Sequence, residues 1–369
     1  MEKRYNFRIY PSKAQASRMQ QSFGCVRWVY NHFLALRVER YKAGQGMYGF
    51  YDNCKDLTKL KQQDEYKWLY DADANALQAA LKELDRAYAN FFRRVRHGGG
   101  EAPGFPGFRS KKNTHKSYVS KVTNPSGPYA KAIIVGERAI KLPKLGWVPC
   151  RVSKKVEGRV ISATVCQRPS GKYYVSVCAT EYEPKPLPKT GKTIDLRGDA
   201  ADILFAAERE AVRCPLFFDQ TEKKIARLHK ALSRKTRDSA NFEKARVKLA
   251  KAYERIAHQR NDFLHQLSTQ LVRNYDVISV SDESFAGAGR AGHFSGPLTV
   301  AGWGELRSRL TYKCSWYGKE LIRTDADAPS REREWSHEPP RAERDFPLVQ
   351  VGQGLDESEH GHGTRRLTA

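Results

Sequence analysis

The chain has 369 residues, of which 40% are hydrophobic and 29% charged, and this composition predicts two or three folded domains rather than a disordered chain. Its formal charge is +24, and the excess is concentrated in residues 1–323, where 59 basic side chains face 31 acidic ones. A positive field of this size favours a polyanionic partner, above all nucleic acid. No run of about 20 apolar residues is present, so we expect no membrane contact and a cytoplasmic location.

The seven cysteines are scattered without a CxxC pair, which predicts isolated thiols in a reducing compartment. We therefore expect neither a disulfide framework nor a zinc knuckle. His360 and His362 near the C-terminus lack further partners, so they predict no metal site.

The first element is predicted to be a strand over residues 4–10, where large and polar side chains alternate. A helical region opens at Pro11 and continues to about Arg96. Its last helix has apolar side chains at 3- and 4-residue spacing on one face. The opposite face suits a DNA groove, because amide side chains pair with adenine edges, although an ordinary exposed face is the alternative; it carries Asn75, Gln78, Lys82 and Arg86.

Short strands are predicted across residues 101–182, forming a β-barrel or sandwich together with the N-terminal strand. Residues 13–100 then form an insertion in a β domain made of residues 1–12 and 101–182. Two tyrosines in the insertion, Tyr48 and Tyr51, are candidates for stacking on exposed bases. After the PGFPGF turn, candidates for contact with RNA or duplex phosphates, or for an ordinary basic loop, are Arg109, Lys111, Lys112, Lys116 and Tyr118.

A second domain is predicted over residues 183–325, because buried strands alternate with helices in an α/β pattern. Two of these helices, at 219–236 and 240–273, are strongly basic on one side. Their polar faces are either solvated surfaces or a grip on nucleic acid, and the candidates are Arg227, Arg234, Lys248, Arg260 and Asn261. The hydrophobic side chains of residues 326–369 follow neither the helical nor the strand spacing, so we expect an irregular tail.

The chain resembles TnpB, the RNA-guided nucleases of bacterial transposons, over most of residues 4–325. The resemblance is carried by YNFRIYPSKAQ…FGCVRWVYNHFL, ALQAALKELDRAYANFF, PGFPGFRSKK, IKLPKLG, IDL, HQRNDFLHQLSTQLV and AGWGELRSRLTYKCSWYGKEL. It implies a multidomain α+β chain: a wedge-like β-barrel with a helical recognition insertion, followed by an RNase-H-like (RuvC) α/β domain. It implies as partners a guide RNA, one per protein chain, and double-stranded target DNA forming an R-loop beside a short adjacent motif.

Members of this family cut DNA with three carboxylates that hold two divalent metals. Asp195 stands where the first is expected, although Arg197 replaces the usual glycine after the leucine. The second position reads Ser281 instead of glutamate, and Glu283 lies two residues beyond it. Asp345 is the candidate for the third carboxylate, but nothing around it predicts a strand-to-helix scaffold. The family's CxxC…CxxC zinc ribbon and its cysteines are also missing.

These changes predict an inactive nuclease centre, because one ligand is replaced, one has no scaffold and a cation is added. The chain is identified as similar to nuclease-dead TnpB-like repressors, which occupy promoter DNA under the direction of a guide RNA and need neither Mg²⁺ nor Zn²⁺. Two alternatives stay open: an endonuclease with a rearranged carboxylate site, and a guide-independent DNA-binding transposon relic. In each case we expect a protein of the bacterial cytoplasm, associated with the nucleoid.

Overall fold

The computed structural model describes residues 1–45, 48–97, 104–112, 116–122, 132–198, 203–205, 210–212, 217–281 and 300–324. The protein is a mixed α/β chain that forms two compact units. The first comprises Met1–Glu183 and Ala231–Lys251, and the second comprises Pro184–Lys230 and the described residues from Ala252 onward.

The first unit contains a sheet of seven strands: β1 (Lys3–Ile9), β2 (Lys116–Lys121), β3 (Ile134–Val135), β4 (Ala139–Leu142), β5 (Gly146–Arg151), β6 (Arg159–Gln167) and β7 (Tyr173–Thr180). Their order is β2-β6-β7-β1-β5-β4-β3, so the N-terminal strand lies in the middle, antiparallel to both neighbours. Tyr5, Phe7 and Ile9 alternate into the core, which explains why this segment forms a strand. Among the described residues β2 and β3 remain at open edges, so the closed barrel predicted from the sequence is not found.

Helices fill the stretch between β1 and β2: α1 (Lys13–Lys42), α2 (Phe50–Gln62), a 3₁₀ helix (Asp64–Asp71) and α3 (Ala74–His97). Ser12 caps α1, since its side chain accepts from the Gln15 N–H at 3.2 Å while the Gln15 side chain accepts from the Ser12 N–H at 3.1 Å. The buried faces of α1 and α3 share one hydrophobic core with the sheet. This region is therefore packed as part of the first unit.

Residues 116–121 form a strand, although a basic loop was one of the two interpretations of the sequence here. β2 pairs with β6 in antiparallel register, and Tyr118 is only 5% exposed. Its ring packs against Phe23 with 5.6 Å between centroids, and burial raises the pKa of its hydroxyl. This corrects the predicted nucleic-acid contact at Tyr118, because the ring belongs to the core and does not face solvent.

The second unit is built on a sheet of five strands: β8 (Thr193–Gly198), β9 (Ile203–Phe205), β10 (Glu210–Val212), β11 (Val277–Ser281) and β12 (Glu320–Thr324). The chain runs β8–β9–β10 as an antiparallel meander, then adds β11 parallel to β8 and β12 parallel to β11, giving the order β10-β9-β8-β11-β12. Three helices complete the described elements: α4 (Phe217–Ser233), α5 (Ala240–Asn274) and α6 (Val300–Tyr317). The end of α4 and the first turns of α5 fall within Ala231–Lys251 and so belong to the first unit. Side chains of β8, β11, α5 and α6 form one core that includes Leu196, Ile278, Leu264 and Leu310.

An ion pair between the buried Lys319 and the partly exposed Asp276 anchors the segment that leads into β8. The Lys319 ammonium contacts the Asp276 carboxylate and donates to the Pro188 carbonyl at 2.7 Å. The other Asp276 oxygen accepts from the N–H groups of Thr190 and Gly191 at 2.7 and 2.6 Å. These hydrogen bonds, the one from Lys319 first, lower the pKa of Asp276 to about 2. The entry to β8 is thereby tied to the starts of β11 and β12.

Candidate nucleic-acid interface

One face of α3 presents polar side chains to solvent. Gln78, Lys82 and Arg86 are exposed and Asn75 is partly exposed, at the spacing that places them along one side of the helix. The opposite side is buried, with Leu81 fully inside the core. Within the described residues, the side chains of Gln78, Lys82 and Arg86 make no hydrogen bond or ion pair, so this face can contact a ligand without breaking the fold.

The two tyrosines predicted to stack on bases differ in their surroundings. Tyr51 is 78% exposed at the start of α2, beside the ring of Phe50. Tyr48 is half-buried, and the Arg40 guanidinium lies 4.0 Å from the centre of its ring. Tyr51 therefore presents an accessible ring, while one face of Tyr48 is already occupied by a cation.

Arg109 is held by the fold. Its guanidinium pairs with Glu83 at 2.7 Å and lies 3.8 Å from the ring centre of Tyr30. The Asn31 side chain also accepts from the Arg109 N–H at 2.8 Å and donates to its carbonyl at 3.0 Å. The arginine thus fixes the turn that follows α3, and a nucleic-acid contact would compete with these bonds.

The lysines that follow this turn differ in whether their side chains are exposed or hydrogen-bonded within the fold. Lys111 and Lys112 are exposed, as a phosphate contact requires. Lys116 on β2 is partly exposed and donates to the Gln20 side chain at 3.0 Å. Gln20 in turn donates to Gln167 at 2.8 Å, so Lys116 belongs to a polar network that joins α1 to the sheet.

Basic side chains of α4 and α5 are also solvent-facing. Arg227 on α4, Arg234 just after it and Lys248 on α5 are exposed, while Ile225 on α4 and Leu249 on α5 are buried. The Arg227 guanidinium makes a long bond, 3.4 Å, to the Lys223 carbonyl of its own helix. These three exposed cations are accessible for contact with a nucleic-acid backbone.

Arg260 and Asn261, by contrast, hold α5 to α6. The Arg260 guanidinium pairs with Glu305 at 3.3 Å, and the Asn261 side-chain oxygen accepts from Arg309 at 2.6 Å. Arg309 completes the cluster by pairing with Glu305, also at 3.3 Å. Sequence reasoning missed Glu305 and Arg309, although their four-residue spacing is typical of an ion pair on one helix face.

The carboxylate positions lie on the neighbouring parallel strands β8 and β11. Asp195 has an exposed side chain and aligns with Ser279, while Ser281 at the end of β11 aligns with Thr324 on β12. Asp345 and Glu283 lie outside the described residues, as do the side chains of Arg197 and Ser281.

The part of the chain that the structure describes holds no group of three His, Cys, Asp or Glu side chains able to bind a metal ion. Two divalent cations need clustered carboxylates, and the described residue facing Asp195 in register is a serine. Taken by themselves, the described residues at this position do not supply the carboxylates of a two-metal centre. The described cysteines are free thiols, and burial raises the pKa of Cys25, Cys150 and Cys314 to about 11.

Two family profiles match the chain. One, described as a helix-turn-helix domain, covers residues 1–46, where the structure has β1 and α1; the other, described as a probable transposase, covers residues 180–286. A Streptomyces pristinaespiralis protein named as an RNA-guided DNA endonuclease is 29% identical over 89% of this chain and 79% of its own length. InsQ of Escherichia coli K12, named in the same way, is 28% identical over 86% of this chain and 79% of its own length.

The two profiles and these relatives support assignment of the chain to the TnpB family. They agree with the resemblance drawn from the sequence. The chain is also similar to a solved Cas12f1–sgRNA–target DNA complex, with a TM-score of 0.49, 10% identity, and coverage of 88% of this chain and 89% of the other. No helix in the described part of the chain has the length and apolar character needed to cross a membrane.

Proposed function

We propose that this chain is an RNA-guided DNA-binding protein that occupies its target without cutting it and so represses transcription. Guided DNA binding is supported by the relatives named as RNA-guided DNA endonucleases, which align with most of the chain. The loss of cutting rests on one observation. The strand-end position where the family carries glutamate is Ser281, and a neutral hydroxyl does not supply the charge that two hard cations require.

We assign the five-stranded sheet to an RNase-H-like (RuvC) domain over residues 183–325. An antiparallel meander followed by two parallel strands, in the order β10-β9-β8-β11-β12, supports this assignment. The seven-stranded sheet is then the wedge-like domain, formed by residues 1–12 and 101–182, and residues 13–100 are its helical recognition insertion. Residues 326–369 form the degenerate tail.

Recognition then divides between the guide and the protein. Base pairing with the guide RNA supplies most of the sequence specificity, and the protein holds the heteroduplex through its backbone. Exposed cations such as Arg227, Arg234 and Lys248 serve that purpose, because each neutralises phosphate and releases counterions. The amides of Asn75 and Gln78 read the short motif next to the target, with Lys82 and Arg86 on adjacent phosphates. A protein fixed in this way on a promoter blocks transcription by occupancy.

A second candidate is an active RNA-guided endonuclease. It is favoured by the names of the relatives and by the retention of Asp195 on β8. In this case Glu283 and Asp345 would supply the missing charge. Cleavage would require a divalent metal and would disappear in Asp195→Ala.

The test is to purify the tagged full chain from bacterial cells and to sequence its bound RNA and chromosomal DNA together. We expect one abundant RNA whose end matches an enriched and uncut promoter site. Enriched DNA without a matching RNA would contradict guidance. Double-strand breaks at the enriched sites that vanish in Asp195→Ala would establish the endonuclease instead.

A further inference from the structure

The apolar face of α3 extends towards its C-terminus beyond the turns that pack in the core. Leu81 and Leu84 are fully buried, but further along the same helix Phe92 is 42% exposed and Val95 is 51% exposed. An amphipathic helix normally keeps its apolar face against a partner. The C-terminal turns of α3 therefore carry an apolar face that the described residues leave in contact with solvent.

Aromatic rings from two segments meet on this face. Phe105, from the turn after α3, is 53% exposed and lies edge-on to Tyr88 and Phe91 at 5.6 and 5.3 Å between ring centres. Phe92 stacks near Tyr88 at 6.2 Å. We call these four residues, Tyr88, Phe91, Phe92 and Phe105, the aromatic patch. Edge-to-face packing holds the rings in fixed orientations and leaves ring surface free on the outer side.

The charged side chains on the described C-terminal turns of α3, which carry three of the four rings of the aromatic patch, have one sign. Residues 86–97 contain arginine but no Asp or Glu, and Arg93, Arg94 and Arg96 are exposed with no ion-pair partner among the described residues. The nearest acidic residues before this stretch are already neutralised. Asp85 pairs with Arg37 at 3.0 Å and Glu83 pairs with Arg109 at 2.7 Å. The local field therefore attracts an anion.

We propose that the aromatic patch is a stacking platform for unpaired nucleotides of the guide RNA, with Arg93, Arg94 and Arg96 holding the phosphates between them. Aromatic faces alternating with cations are the pattern that binds single strands, since every base has a π-face and every linkage a charge. This inference rests on the proposed function and deepens it. It adds a site for the guide at the C-terminal turns of α3, beyond Arg86.

An RNA occupant agrees best with the charge and the exposure. A protein partner would have to bring acidic side chains onto an apolar surface, whereas a nucleic-acid strand carries base and phosphate together. Target DNA is unpaired only while the R-loop exists, but a guide RNA keeps loops and ends unpaired throughout its bound life. Rings that stand exposed in the free protein suit the partner that is bound permanently.

The experiment measures binding of the full chain, freed of cellular RNA, to a short oligoadenylate RNA that contains one 2-aminopurine. Phe92→Leu with Phe105→Leu keeps apolar area but removes two aromatic faces. We expect a loss of at least about tenfold in affinity, with weaker quenching of the 2-aminopurine, since one stacked base contributes roughly 5- to 150-fold. Phe92→Tyr with Phe105→Tyr should bind as the natural chain does. Trp147→Leu is the matched control, because Trp147 is also 51% exposed but lies on β5, and it should change nothing.

Several results would overturn the platform. Unchanged binding by the double leucine variant would reduce the aromatic patch to inert surface, and an equal loss on a fully paired RNA duplex would show that the lost contact is not stacking on unpaired bases. An oligodeoxyadenylate that binds as tightly, with the same loss in the variant, would reassign the platform to DNA. A dimer that the leucine changes dissociate would reassign it to a second copy of the chain. The proposed function fails separately, through a natural chain that copurifies with no discrete RNA, and that result contradicts the guide as the occupant.

Discussion

Two helical surfaces look alike in the sequence and differ in the structure. The polar face of α3 carries Gln78, Lys82 and Arg86 without internal partners in the described chain, whereas Arg260 and Asn261 on α5 are bonded to α6. Both surfaces combine cations with amides. The difference teaches that composition identifies a polar surface, while the partners of each side chain decide whether it is free to bind nucleic acid.

The largest effect on stability should come from a candidate residue whose side chain is buried in the core. Tyr118→Ala removes a buried ring from the contact with Phe23, so we expect a loss of about 3–5 kcal/mol in the free energy of unfolding. Denaturation in urea measures it. Tyr51→Ala, which removes an exposed ring, is the control and should leave stability nearly unchanged. Equal losses of stability in both variants would contradict the distinction between a ring buried in the core and a ring free to bind nucleic acid.

Next in size is the reading of the adjacent motif. Gln78→Ala should relax discrimination at one or two base positions by about 1–3 kcal/mol, because a base edge loses its hydrogen bonds. Binding to a panel of target duplexes that differ only in the adjacent motif measures this. Lys82→Ala should instead weaken all of them evenly. If Gln78→Ala also weakens all duplexes evenly, the glutamine contacts the backbone and not a base.

A smaller contrast separates two basic side chains of α5. Arg260→Ala breaks a partly exposed pair with Glu305, so it should cost about 0.5–1 kcal/mol of stability and leave the salt dependence of DNA binding unaltered. Lys248→Ala should leave stability unaltered and reduce the slope of log affinity against log salt by about 1. Salt titration of DNA binding and urea denaturation of both variants measure these effects. A stability loss in Lys248→Ala with a changed salt slope in Arg260→Ala would contradict our assignment of Arg260 to the fold and Lys248 to DNA contact.

The smallest expected effect is at Asp195. Because we propose that no metal centre operates, Asp195→Ala should bind the guided target as tightly as the natural chain, in the presence or absence of Mg²⁺. A fluorescence titration with labelled target duplex measures the affinity. A drop that depends on Mg²⁺ would indicate that Asp195 holds a metal after all.

Regular elements with strong patterns were predictable from the sequence. The alternation at Tyr5, Phe7 and Ile9 gave β1, and the apolar face of α5 gave a helix predicted over 240–273 and observed over Ala240–Asn274. β12 was missed because none of its five positions is buried and the exposed and partly exposed positions do not alternate, and β10 is too short to show a period. Barrel closure was predicted wrongly, since alternation indicates which residues face inward but not the tilt and register that close a sheet.

The sequence allowed us to predict which residue types belong to the candidate site. It did not show which of their side chains are hydrogen-bonded or ion-paired within the fold and which are free to bind. Lys116 is paired with Gln20, 96 positions away, and Arg260 with Glu305, 45 positions away. Bonds between residues so distant in sequence leave no local pattern. The aromatic patch escaped notice for the same reason, because Phe105 joins Tyr88 and Phe91 only through the fold.

The central claim is that this chain binds guided DNA and leaves it intact. Its most direct test is to incubate the purified protein, with the RNA it carries from cells, with labelled duplex containing the matching site and adjacent motif, in Mg²⁺ and separately in Mn²⁺. Our account predicts a stable complex and two intact strands under both conditions. Cleavage products that require the metal, and that disappear in Asp195→Ala, would contradict it.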